Sequence, residues 1–218
     1  MDDSDEPPSR NIRLTSLDDE GIMSRHISTY DYENSTTCQT QHNNCMDIVY
    51  STTQQNTFKR MMDGMRSLGF DVNFLSKSIK CEPCVSGIYG AYDTERKDIV
   101  MCENNLPQAS ERSGISADKL YSKVIQENMI YAYDAARNTD PLKLRNLACS
   151  YVRAVNLPNV HNVCGGELSD DVRKECVTEI AVSMLRGRNV AESEARRLVQ
   201  MVIYPCSADF APYPKMPS

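Results

Sequence analysis

This chain of 218 residues lacks three kinds of sequence, and each absence excludes a class of protein. It has no run of about 18 apolar residues, so no segment is predicted to span a bilayer. It has no basic block, and its net charge of −6 argues against nucleic-acid binding because phosphates require cationic partners. Its acidic N-terminus, MDDSDEPPSR, resembles neither a secretory signal nor a mitochondrial presequence. We expect any import into an organelle to proceed without a cleaved leader of the usual type.

The densest basic segment lies near the C-terminus, where two glutamates separate four arginines. This mixture of charges predicts a solvated helix face rather than a phosphate-binding surface. The arginines are Arg186, Arg188, Arg196 and Arg197.

The composition divides the chain into a polar arm and one domain. Residues 1–44 are rich in Ser, Thr, Asn, Asp and Gln, so this segment alone cannot offset the entropy lost on ordering. We expect an extended arm that lies on a permanent partner. Residues 45–218 hold most of the large apolar residues and are predicted to form a single domain.

The order of local patterns predicts an α+β fold. Residues 55–69 carry apolar side chains at helical spacing, whereas residues 71–102 lose this period and contain turn-forming Gly and Pro. The chain after Ser113 is predicted to be helical, and its last helix is predicted to end at Pro205. We therefore expect a small antiparallel β unit followed by a helical half.

Nine cysteines are dispersed along the chain, and this spacing favours disulfides over a compact zinc site. A zinc knuckle built from Cys81, Cys84, Cys102 and one further ligand is an alternative, although C-x-x-C occurs once. Buried, reduced cysteines are a second alternative.

The stretch VIQENMIYAYDAARNTD, residues 124–140, predicts a helix with the spacing of a zinc peptidase. Two histidines four residues apart, with glutamate after the first, form the H-E-x-x-H motif, whose histidines project from one helix face. The corresponding positions here are Glu127, Asn128 and Tyr131.

Several segments share their order with the motifs of one family. ENMIYAYDAARNTDPLKLRNLACSYVRAVNL is similar to H-E-L-I-H-A-Y-D-x-C-R followed by V-D-W-x-N-L-R-H-L-A-C-S-E-I-R-A-A-N-L. KCEPCVSGIYGAYD, KDIVMCENNL and DFAPYPKMP resemble C-x-x-C with V-S-G-G-F-D, I-x-L-C-Q-N and P-F-x-x-I-P. The chain from about residue 45 to its C-terminus thus resembles the mitochondrial ATP synthase assembly metallopeptidases, the processing peptidases of the intermembrane space. The resemblance implies a minimal zincin-like fold stapled by disulfides.

The resemblance also implies how the cysteines are used. Eight of them fall where the family has cysteines, enough for four bridges in the oxidising intermembrane space, and Cys38 is the extra one. The eight disulfide candidates are Cys45, Cys81, Cys84, Cys102, Cys149, Cys164, Cys176 and Cys206.

The catalytic positions depart from the family pattern. The resemblance places Glu127 and Tyr131 at the two histidines, Asn128 at the catalytic glutamate, and Tyr151 at a glutamate that is a plausible further ligand. Zinc hydrolysis needs deprotonated ligands, a site for water and a general base. Asparagine cannot be a base, and a phenol that titrates near pH 10 is a poor neutral-pH ligand. We therefore expect no catalytic residue, metal or cofactor at these degenerate positions.

One further metal-binding possibility follows from the remaining side chains. Glu127 and Asp134 lie seven residues apart, so a calcium or magnesium site is an alternative to a structural contact between Asp134 and Arg137. None of the three histidines lies in the motif helix, and each is expected in a polar loop. They are His26, His42 and His161.

The function expected from these observations is structural. We expect a catalytically inactive metallopeptidase-like protein that serves as an accessory subunit of a large mitochondrial inner-membrane complex, with ATP synthase as the first candidate and a respiratory-chain complex as the next. Its partners would be subunits of that complex, and it would lie peripherally on the inner membrane in the intermembrane space. A transient assembly chaperone and an active metallopeptidase with altered ligands are the alternatives.

Overall fold

A computed structural model describes residues 36–69, 78–85, 87–137, 139–140, 142–157, 164 and 169–213. The strands within these ranges are β1 (Ile79–Glu82), β2 (Gly90–Asp93) and β3 (Asp98–Cys102). The helices are α1 (Thr36–Thr53), α2 (Asn56–Ser67), α3 (Leu106–Ser113), α4 (Ala117–Ala136), α5 (Leu144–Asn156), α6 (Asp170–Arg186) and α7 (Glu192–Ser207). The predicted α+β class is confirmed, while the short helix α3 is not predicted from the sequence.

The three strands form a mixed sheet with the order β1-β3-β2. Strand β2 pairs antiparallel with β3, as expected for a hairpin, and Tyr92 lies opposite Ile99. Strand β1 pairs parallel with β3, and Ile79 lies opposite the same Ile99. The expectation of a purely antiparallel unit is therefore wrong in this detail. The reason is that β3 returns from the hairpin and inserts between β1 and β2, so it runs in the direction of β1.

Two apolar cores lie on either side of helix α4. The first packs α1, α2 and α4 against the sheet, and it includes the predicted stripe of α2, whereas Leu68 at the end of that stripe is exposed. The second is formed by α5, α6 and α7. Tyr131 on α4 packs against both cores. The helix that carries the motif positions therefore lies where the two halves of the fold meet.

Helix α1 begins inside the segment predicted to be an extended arm, so residues 36–44 are helical. Its inward face buries Cys38, Cys45 and Val49, and His42 pairs with the buried Glu103 at 2.8 Å. These tertiary contacts stabilise the helix, which its mostly polar sequence does not predict. Residues 1–35 of the predicted arm lie outside the described residues, and the domain boundary at residue 45 stays a prediction.

Four disulfides join elements that are distant in the chain. Cys45–Cys81 joins α1 to β1, and Cys84–Cys102 joins the loop after β1 to β3. Cys149–Cys206 joins α5 to α7, and Cys164–Cys176 joins the chain before α6 to that helix. These are the eight candidate cysteines, while Cys38 is buried and lies outside the four bridges. The alternative zinc knuckle is wrong, because Cys81 and Cys84 pair with different partners.

Helix α7 continues through Pro205 to Ser207, although the sequence predicts an end at that proline. The last turn is held by the Cys149–Cys206 disulfide and by Asn156, whose Nδ2 donates to the Ser207 carbonyl oxygen at 2.8 Å. A proline costs a helix one backbone hydrogen bond, and these two contacts offset that loss.

Candidate functional site

Helix α4 presents the motif positions in two directions. Asn128 is buried, and its Nδ2 donates to the Val124 carbonyl oxygen of its own helix at 2.8 Å. The neighbouring strand β2 approaches this side chain closely at Gly90, where an added Cβ would lie 3.3 Å from Asn128 Nδ2. The residue at the position of the family's catalytic base is therefore a packed amide beneath the sheet.

Glu127 and Tyr131 contact each other on the adjoining face of α4. The Tyr131 hydroxyl donates to Glu127 Oε1 at 2.5 Å, across one turn of the helix. Burial raises the pKa of Tyr131 well above its ordinary value of 10.0, and the nearby charge of Glu127 raises it further. The phenol therefore stays protonated at neutral pH and acts as a hydrogen-bond donor to the carboxylate.

Tyr151 on α5 completes an aromatic pair with Tyr131. The two ring centroids are 5.5 Å apart, with the planes inclined at 65°, an edge-to-face arrangement that aromatic rings favour. The Tyr151 hydroxyl accepts a hydrogen bond from Arg188 Nε at 3.1 Å. Burial raises the pKa of Tyr151 above its ordinary value, although Arg188 opposes that rise. Both phenols of the site are therefore neutral.

The structure brings together three of the four predicted positions and adds Arg188 to them. Glu127, Tyr131 and Tyr151 form one connected group, whereas Asn128 points toward β2. Arg188 was expected on a solvated helix face, but it is half-buried and contacts this group. Its position just after Gly187, where α6 ends, is the one sequence signal that sets it apart.

The other arginines of the predicted basic segment follow the expectation. The side chains of Arg186, Arg196 and Arg197 are each at least 39% exposed, and each pairs with a glutamate on the surface. They form the solvated helix face that the mixed charges indicate.

The donor set of this site does not fit the zinc ion that the family motif implies. Its single carboxylate already accepts a hydrogen bond, its two phenols are protonated, and its amide is bonded within its own helix. Within the described ranges, no three His, Cys, Asp or Glu side chains lie close enough together to ligate one ion. His42 lies on helix α1 rather than in a loop, and it pairs with Glu103 after strand β3; the other two histidines lie outside the described residues.

The calcium or magnesium alternative also lacks support, because Asp134 is engaged elsewhere. Its carboxylate accepts from Arg137 at 2.8 Å, from the Ser150 hydroxyl at 2.7 Å, and from the buried Arg153. The structural contact between Asp134 and Arg137, which the sequence offers as the alternative to a metal site, is therefore present. The Asp134 carboxylate is therefore used in hydrogen bonds that hold α4 to α5, and it does not join Glu127 as a second metal ligand.

Comparison with known sequences identifies the class to which this fold and site belong. The model of the peptidase M76 family matches residues 35–214, and the chain belongs to that family. This confirms the resemblance to the assembly metallopeptidases and makes the protein metallopeptidase-like. No solved structure matches the chain.

Three relatives are each named "Mitochondrial inner membrane protease ATP23 homolog". The chain is 31% identical to that of Danio rerio over 167 residues, which are 73% of this chain and 62% of the relative. It is 27% identical to that of Homo sapiens over 187 residues, covering 82% and 72% of the two chains. It is 29% identical to that of Xenopus laevis over 168 residues, covering 73% and 67%. The chain thus spans less than two thirds of the zebrafish relative.

These names contradict one expectation. The relatives are called proteases, not fixed subunits of a complex, so the predicted role as an inactive structural accessory subunit is wrong. The alternative of an assembly role agrees better with the family. None of the helices that the structure describes between residues 36 and 213 has the length and hydropathy needed to cross a bilayer.

Close packing beside the motif gives a first prediction. Replacing Gly90 by Ala would place a Cβ 2.5 Å from Val124 Cγ1 and 3.0 Å from the Val100 carbonyl oxygen, both too close. We expect Gly90→Ala to cost about 1–3 kcal/mol of unfolding free energy because the strand must move away from α4. Urea unfolding measures this cost. Combining it with Val124→Ala should give a smaller loss than the sum of the two, since the nearest clash disappears. Simple additivity would contradict the packing described here.

Proposed function

We propose that this protein acts in the assembly of an inner-membrane protein complex by binding a subunit, without zinc-dependent cleavage at the H-E-x-x-H positions. The observation that carries the proposal is the hydrogen bond between Tyr131 and Glu127, which joins a neutral phenol to a carboxylate where the family has two imidazoles. A metal-activated hydrolysis needs ligands that are free to bind and a base that takes a proton from water. Asn128 offers no such base at any pH.

The location supports this role. Relatives that are named as mitochondrial inner membrane proteases support the predicted placement at that membrane, peripherally on its intermembrane-space side. Four disulfides suit an oxidising compartment of this kind. Because the resembled family serves ATP synthase assembly, an ATP synthase membrane subunit is the first partner to examine, and a respiratory-chain subunit is the next.

An active metallopeptidase with altered ligands is the second candidate function. The names of the relatives favour it, because all three are called proteases. Glu127 is the one carboxylate among the four motif positions, so in such an enzyme it must be either a metal ligand or the general base. The two functions therefore predict opposite effects of removing its charge.

Glu127→Gln separates the two functions. In mitochondria that lack this chain, we expect both the wild type and Glu127→Gln to restore assembly of the affected complex, because the amide still accepts the hydrogen bond from Tyr131. An altered-ligand peptidase would lose its activity with the same change. Native gels of pulse-labelled membrane subunits measure assembly, and Glu111→Gln, on an exposed residue of α3, is the matched control.

Two further outcomes bear on the assembly role. We expect the chain to migrate with newly made subunits early after the pulse and to be absent from the mature complex. Zinc retained in stoichiometric amount by the purified wild type, together with failure of Glu127→Gln, would overturn the proposal in favour of the peptidase.

A further inference from the structure

Arg188 brings a positive charge to a site whose family counterpart is built around a metal cation. Its Nε donates to the Tyr151 hydroxyl at 3.1 Å, although the two residues are 37 positions apart in the chain. Tyr151 stacks edge-on against Tyr131, and Tyr131 in turn donates to Glu127. A chain of contacts therefore runs from the Glu127 carboxylate through the two tyrosines to the Arg188 guanidinium.

The turn between α6 and α7 holds this arginine in place. The Arg188 N–H donates to the Leu185 carbonyl oxygen at 2.9 Å, and the Val190 N–H donates to the same oxygen at 3.3 Å. Asn189 has a φ of 62°, a left-handed conformation that asparagine adopts more readily than most residues. Leu185 itself is fully buried in the second core. The backbone that presents Arg188 is thus anchored rather than free to swing.

Both charges of the site act on both hydroxyl groups. The negative charge of Glu127 raises the pKa values of Tyr131 and Tyr151, after the larger effect of burial, and the positive charge of Arg188 lowers both. Glu127 and Arg188 are therefore both within electrostatic range of the aromatic pair, from opposite ends of the group. Glu127 is partly buried, so its attraction to a positive charge at this range is stronger than it would be in bulk water.

We propose that the Arg188 guanidinium takes the electrostatic place of the family's metal ion at the motif positions, joining α4, α5 and the α6–α7 turn through Tyr131 and Tyr151. In this arrangement an internal cation balances Glu127, and the same positive charge repels any divalent ion from the site. The inference does not depend on the assembly role, because it concerns how the site is held together and not what the protein binds.

The first test uses a chain whose donors have been restored. The variant Glu127→His, Tyr131→His, Tyr151→Glu is titrated with zinc in competition with a chelating dye, with and without Arg188→Ala. We expect Arg188→Ala to tighten zinc binding at least about tenfold, because it removes a positive charge from beside a dication. Arg186→Ala is the matched control, since Arg186 lies two residues away but pairs with Glu192 on the surface. Unchanged or weaker zinc binding after Arg188→Ala would overturn the proposal.

A second measurement uses the unmodified site and does not require the restored variant to fold. Glu127→Gln and Arg188→Gln are made singly and together, and urea unfolding gives the unfolding equilibrium constant of each. We expect the double variant to differ at least about threefold from the product of the two single effects, because each residue acts on the other's charge. Pairing Glu127→Gln with Arg186→Gln should show no such coupling. Equal coupling of Glu127 to the two arginines would overturn the proposal.

Discussion

Reducing the four disulfides is expected to unfold this protein at 25 °C under conditions in which the oxidised chain stays folded. Each bridge restricts the unfolded chain, and the sequence separations of 12, 18, 36 and 57 residues correspond to about 3–4 kcal/mol each. The bridge from Cys164 to Cys176 lies inside the loop closed by Cys149–Cys206, so it adds less than a separate loop. Even so, the combined effect is comparable to the entire stability of a typical domain, about 5–15 kcal/mol.

Far-ultraviolet circular dichroism measures this result as a loss of helical signal after treatment with a reductant and alkylation. Alkylation without reductant is the control. Among single bridges, replacing Cys149 and Cys206 by Ser should cost about 1 kcal/mol more than replacing Cys164 and Cys176, because the former closes the longer loop. A reduced chain that keeps both its spectrum and its unfolding midpoint would show that the two cores carry the fold without the bridges.

Replacing Arg153 by Met is expected to cost about 3–5 kcal/mol of unfolding free energy. The Arg153 side chain is 0% exposed and pairs with Asp134 and Asp209. It also donates to the Ala211 carbonyl oxygen, which ties the segment after α7 to α5. Methionine fills most of the volume but leaves the buried Asp134 without its closest cation. The large cost comes from that uncompensated charge rather than from the lost contact area.

Arg137→Met is the matched control for this prediction. Arg137 contacts the same two aspartates, but its side chain is 30% exposed, and its removal leaves Asp134 still paired with Arg153. We expect a clearly smaller loss in urea unfolding at pH 7. The variant Arg153→Met, Asp134→Asn should recover part of the stability, because the orphaned charge is gone. Equal costs for Arg137→Met and Arg153→Met would contradict the assignment of Arg153 as the central cation.

The same cluster predicts how the Arg153 effect depends on pH. Burial raises the pKa of Asp209, but the charge of Arg153 and the hydrogen bond from Arg137 lower it more, so the pKa lies below its ordinary value of 3.8. A carboxylate whose folded-state pKa is depressed stabilises the fold above its unfolded-state pKa and loses that contribution as the pH falls through the folded-state value. The cost of Arg153→Met should therefore be smaller below pH 3.8 than at pH 7.

Local patterns were sufficient for much of the fold. The apolar period of α2 and the turn residues between residues 71 and 102 led to the correct order of helices and strands. Helix α1 was missed because its residues are mostly polar, and it is held by Cys45–Cys81 and by His42 against Glu103. The parallel pairing of β1 with β3 was missed because it also depends on contacts between segments that are distant in the chain. Strand alternation specifies which side chains face inward, but it does not specify which neighbour a strand pairs with.

The sequence alone settled the chemistry that this site lacks. An amide at Asn128 cannot take a proton from water in any fold, and no histidine stands at position 127 or 131. Only the tertiary structure shows that the site contains an arginine, Arg188. Arg188 contacts Tyr151 across 37 residues, and no local period encodes a contact of that separation. Such a contact exists because the buried faces of α5, α6 and α7 pack together and place the α6–α7 turn, with its arginine, beside Tyr151 of α5, which packs against Tyr131 of the motif helix.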